Sequence, residues 1–148
     1  MYEALKIVHS SWAYLVVLIV TLATINAFVK YVAKKEYGPK DFRISLFALI
    51  VTHLQLLIGI VIFFVSPNVV WFTEGIATAE IMKDPLLRLY NVEHPTIMIA
   101  MVAFLTVGYS KHKKKLTSTP KFKMLAIFYA IAFILMLSRI PWSQWINL

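Results

Sequence analysis

The chain has 148 residues, a formal net charge of +8 and 60% hydrophobic residues. A soluble domain is closer to half apolar. A mean hydropathy of +0.75, gathered into four blocks, points instead to an integral membrane protein with one small domain. The absence of cysteine excludes disulfides, thiolate metal sites, c-type haem attachment and iron–sulfur ligation.

The first apolar block covers residues 10–30. No basic segment precedes it and no small-residue cleavage site follows, so it is expected to act as its own insertion signal. His9 stands at its start, with Ala13, Val16 and Val20 below it. The connection that follows carries Lys30, Lys34, Lys35, Lys40 and Arg43. Gly38-Pro39 breaks the chain there, with Asp41 as the expected N-cap of the next helix.

The second block, residues 44–65, carries Ser45, Ala48, Thr52, Gln55, Gly59 and Ser66 at helical spacing. Small and hydrogen-bonding residues on one face mark the side that packs on other helices. Gln55 followed by Gly59 adds something, because glycine admits a neighbouring helix or a flat ligand. His53 lies mid-block and off this stripe. An unpaired imidazole is costly there, so it is expected to face another neighbour, to bind a haem in place of one partner, or to bind a quinone.

The longest connection, residues 67–93, contains IATAEIMKDPLLRLY, which is expected to form a short amphipathic surface helix. Trp71, Trp142 and Trp145 fall where an aromatic belt is expected. The third block, residues 92–110, opens on His94-Pro95, with Met98, Met101 and Leu105 below. His112, within KHKKK, reads as a solvated loop residue. The fourth block covers residues 122–140.

Lysine and arginine decide the orientation. The two connections following blocks one and three hold 11 of the 15 basic residues, and the opposite side holds five of the seven acids. The expected fold is therefore an all-α, up-down-up-down four-helix transmembrane bundle, basic loops in the cytoplasm and both termini outside. The basic surplus is then topology and contact with anionic lipid, and no nucleic-acid partner is implied.

This orientation brings His9 and His94 to the same leaflet. Two imidazoles meeting across a bundle core are what a six-coordinate b-type haem needs from a protein. Arg88 and Arg139 fall at similar depth, where guanidinium groups suit the haem propionates or lipid headgroups. Other chemistries are missing. There is no HExxH pattern, no acid to complete a triad at Ser10 or Ser11, no glycine-rich phosphate loop, and no buried chain of carboxylates, Glu93 lying only at the edge of the third block.

His9-Ser10-Ser11-Trp12 opening one helix, Gln55-Leu-Leu-Ile-Gly59 in the next and Glu93-His94 opening the third resemble one four-helix half of the haem A synthases. In that family two such histidines lie toward the outer face and bind haem. The run THLQLLIGIVIFFVSP and the ending SRIPWSQW also resemble short four-helix membrane proteins of Bacteroidota labelled cytochrome B. The resemblance covers three of four helices and implies His9 and His94 as the ligand pair. The second half of a synthase is missing, and so is the E-x-x-H-x-R arrangement around its first histidine.

The expected function is a haem b-binding cytochrome of the bacterial inner membrane, in electron transfer or haem handling. His9 and His94 are the metal ligands, and His53, Gln55, Gly59, Arg88 and Arg139 complete the cofactor site. A homodimer, a larger membrane complex, a quinone or a redox protein are the compatible partners besides the lipid bilayer. Two readings compete: a cofactor-free accessory subunit, and a membrane enzyme acting on quinone or haem.

Overall fold

Residues 1–146 are described here by a computed structural model, and every regular element among them is helical. In chain order these are α1 (Tyr2–Val32), α2 (Pro39–Val65), α3 (Thr78–Lys83) and α4 (Pro85–Arg88). A π-helical turn (Leu89–Glu93) then leads into α5 (His94–Lys113), followed by α6 (Ser118–Ser138) and α7 (Trp142–Trp145). Tyr2–Val32, Pro39–Val65, Pro85–Lys113 and Ser118–Ser138 are each long and apolar enough to cross a membrane, which takes about 20 residues.

The four long helices form a ring in which α1 packs on α2, α2 on α5, α5 on α6 and α6 on α1. Cross-links show that neighbours are antiparallel. The Trp12 indole donates to Val51 O and Asn26 to Asp41 across α1 and α2. Across α1 and α6, Thr24 donates to Tyr129 O and Trp145 of α7 donates to Ser10 O. Helices α1 and α5 therefore lie on one diagonal of the ring and run in the same direction. One end of the bundle carries the N-terminus, the 66–93 connection and α7; the other carries the two lysine-rich connections.

The core follows from the small-residue stripes. Val16, Val20, Ala23 and Ala27 of α1 face Ala48 and Val51 of α2, Leu105 of α5 and Ala132 of α6 in one buried cluster. Leu18, Leu22, Ile25 and Phe28 point outward and are more than half exposed, as suits a surface whose surroundings are themselves apolar. A Cβ built on Gly108 would come within 2.5 Å of Phe128 Cβ, so glycine sets the approach of α5 to α6.

The lysine-rich end holds a buried polar cluster. Asp41 is 3% exposed, yet it pairs with Lys30, accepts from Asn26 and takes the Gly38 N–H at 3.0 Å. The N-cap position belongs to Gly38, and Asp41 serves it from the first turn. His112 overturns the expectation of a solvated residue. It is 0% exposed, and its Nε2 lies 3.0 Å from the Tyr37 hydroxyl. Helix α5 continues through the lysine run, and the spacing from Leu105 through Gly108 and Tyr109 to His112 turns the imidazole inward.

Two boundaries also differ from expectation. Helix α1 starts at Tyr2, so His9 sits about two turns inside it instead of at its entrance. The expected surface helix over residues 76–90 is divided at Asp84, whose carboxylate caps α4 through the N–H groups of Leu86 and Leu87.

Gly108→Ala is expected to destabilise the bundle by about 1–3 kcal/mol, because the added methyl must displace a Cβ and not a flexible side-chain end. Thermal unfolding in detergent micelles checks this; an unchanged midpoint would contradict the close packing of α5 on α6.

Candidate cofactor site

A cavity of about 560 Å³ occupies the end of the bundle that carries the termini. Its size falls within the range of about 300–1,000 Å³ typical of ligand and cofactor pockets. His9, Ala13, Val16 and Val17 line it from α1, and His94, Met98, Met101 and Val102 from α5. Gln55, Leu56, Gly59, Ile60 and Phe63 line it from α2, and Met136, Ile140, Gln144 and Trp145 from the α6–α7 corner. Walls of this kind are apolar with few polar groups, and the methionines adapt readily to an inserted shape.

The two histidines face each other across the α1–α5 diagonal. Their ring centroids are 6.2 Å apart and their planes meet at 76°. An imidazole–metal bond of about 2.0 Å, plus about 1.1–1.2 Å from ring nitrogen to ring centre, places two axial imidazoles about 6.3 Å apart centre to centre. The cavity extends to either side of the line joining them, toward α2 on one hand and toward the α6–α7 corner on the other. A flat macrocycle standing across that line would have its edges against those two walls.

Each ring is positioned by the surrounding chain. His94 Nδ1 lies 2.8 Å from the carbonyl of Arg139. A carbonyl can only accept, so Nδ1 carries the proton and the Nε2 lone pair is left for a ligand, the tautomer that metal-bound histidines show. His9 is held through α2. Gln55 Nε2 donates to His9 O at 2.9 Å, and a Cβ on Gly59 would come 3.3 Å from His9 Cε1. His9 Nδ1 and Gln55 Oε1 are buried with no hydrogen-bond partner among the described residues. Orphaned polar atoms beside a cavity are costly unless something fills it.

The π-helical turn directly precedes His94. Its extra residue per turn shifts the side chains that follow around the axis. Asn91, buried within it, accepts from Val70 N and donates to the carbonyls of Asn68 and Leu87, while the Trp71 indole donates to the Asn91 carbonyl. The 66–71 connection is thereby tied to the entrance of α5. Sequence reasoning overlooked Asn91; a polar residue between two apolar positions near a histidine was the available signal.

The remaining expected site residues fall elsewhere. His53 does not line the cavity: its Nδ1 lies 2.8 Å from Leu49 O within its own helix, and its Nε2 lies 3.4 Å from Thr106 Oγ1 of α5. Arg88 Nε donates to Glu93 Oε1 at 2.9 Å, and Arg139 Nε lies 3.3 Å from Glu93 Oε2. Both guanidiniums therefore share one carboxylate next to His94, and neither lines the cavity. Among the described residues no group of three or more His, Cys, Asp or Glu could hold a metal ion. A porphyrin supplies four nitrogens itself and asks the protein for two axial ligands, so a histidine pair suffices. Comparison with family models, curated proteins and solved structures gives no match to this chain.

Asn91→Leu would strand the Val70 N–H and the Asn68 carbonyl. A loss of about 1–3 kcal/mol is expected, seen as faster amide exchange over residues 67–72. Unchanged protection there would contradict the tie.

Proposed function

We propose that this chain is a small b-type cytochrome of the bacterial inner membrane. His9 and His94 are its axial ligands, and its site lies toward the outer leaflet, with the lysine-rich loops in the cytoplasm. The observation that carries this reading is the histidine pair at 6.2 Å lining a largely apolar cavity of about 560 Å³. The 11 basic residues on the opposite connections support the orientation.

When bound, the haem supplies one-electron chemistry; the chain supplies ligation, orientation and a low dielectric. The Arg139 carbonyl keeps the proton on His94 Nδ1, and Gln55 with Gly59 seats His9 against α2. Ile60 and Phe64 of α2 and Ile99 of α5 line the cavity while remaining exposed on the bundle surface. One side of the site therefore borders the bilayer, where a lipophilic redox partner such as a quinone can approach.

A second reading, an enzyme acting on quinone or haem, is favoured by one atom. Gln55 Oε1 lacks a donor among the described residues, and a quinol hydroxyl would provide one.

Protein purified after expression with ample haem is expected to show the dithionite-reduced minus oxidised spectrum of a low-spin b-type cytochrome. His9→Ala and His94→Ala are each expected to lose that spectrum, and His53→Ala to keep it. A colourless wild-type protein, or unchanged spectra in both ligand variants, would overturn the assignment. Gly59→Val is expected to weaken haem retention by crowding the His9 ring, with helix content unchanged by circular dichroism.

A further inference from the structure

We propose that Lys6 is the carboxylate anchor of the cavity, pairing with a propionate of the bound porphyrin and so deciding which edge of the macrocycle faces the end of the bundle that carries the termini. This rests on the haem reading above and assigns a residue that sequence reasoning passed over in favour of Arg88 and Arg139.

Lys6 is the one charged side chain among the described residues lining the cavity. It lies three residues before His9 on α1, so the two share a helical face with Lys6 about 4.5 Å nearer the helix start. Tyr2, a further turn up, lines the cavity as well, and Asn68 and Gln144 bring neutral polar groups to the same mouth. The face of α1 thus grades from polar at the mouth, through the His9 imidazole, to Ala13 and Val16 in the core. A porphyrin has the same grading, with two carboxylates on one edge and apolar substituents on the others.

The competing cations are engaged. Arg88 and Arg139 share Glu93 at 2.9 and 3.3 Å. Among the described residues the one carboxylate paired with Lys6 is Glu3, at 4.0 Å, and that side chain is 74% exposed. An exposed pair at that distance holds a lysine weakly. A carboxylate presented at the cavity mouth, partly shielded from water, is a better partner.

The test compares two porphyrins in nanodiscs: iron protoporphyrin IX and its dimethyl ester, which lacks the carboxylates. Comparing wild type with Lys6→Met for the same porphyrin cancels partition into lipid. Lys6→Met is expected to weaken binding of the free acid about three- to tenfold and to leave the ester unchanged. Affinity for the free acid, but not for the ester, is expected to fall with salt in the wild type only. Equal weakening of both porphyrins, or no weakening of either, would overturn the role of Lys6 while leaving the histidine ligation intact. Failure of the free acid to bind the wild type with a low-spin spectrum would instead remove the haem reading, and this proposal with it. Arg88→Gln is the control, expected to change neither affinity.

Discussion

An imidazole in an apolar bundle is tolerated only when its nitrogens have partners. This chain places two imidazoles at one depth, on the diagonal helices of a four-helix ring, and among the described residues only one nitrogen of one of them has an internal partner. The Arg139 carbonyl takes His94 Nδ1, while His9 Nδ1 stays buried without a partner. Much of the local architecture follows from keeping these rings in place. Glycine at position 59 makes room for one, Gln55 ties its backbone, and the π-helical turn with Asn91 precedes the other.

The polar groups at the two ends of the bundle have different surroundings. At the lysine-rich end, Asp41 is surrounded by Lys30, Asn26 and the Gly38 amide, and the Tyr129 hydroxyl donates to Ser45 O. That cluster largely satisfies itself and acts as packing. At the end bearing the termini, orphaned atoms of His9 and Gln55 adjoin an open cavity of about 560 Å³. His112 Nδ1 at the lysine-rich end is also buried without a hydrogen-bond partner among the described residues, but His112 does not line the cavity, whereas His9 and Gln55 do, as expected of a scaffold with a site.

Much of this was legible in the sequence. The four apolar blocks gave the long helices because lipid-facing and core residues are both apolar, so hydropathy alone marks the spans. The stripe from Ser45 to Gly59 named the packing face of α2, and Ser45, Ala48 and Thr52 are indeed buried. His9 and His94 came out as a pair because both stand near the starts of helices running in the same direction. What local pattern hid was tertiary. The lysine run around His112 looks solvated, although its spacing from Leu105 and Tyr109 places it on the buried face. Arg88 and Arg139 have the right charge and depth, but Glu93 lies between them and takes both. Lys6 was passed over because α1 was expected to begin after it.

The account turns on two imidazoles taking the same iron. Electron paramagnetic resonance of the ferric protein measures this directly, since the spin state reports the axial ligands and the anisotropy reports the angle between their planes. With ring planes at 76°, the account predicts a low-spin signal of the strongly anisotropic kind given by near-perpendicular imidazoles, abolished in both His9→Ala and His94→Ala. A high-spin signal in the wild type, or a low-spin signal that survives both substitutions, would contradict it.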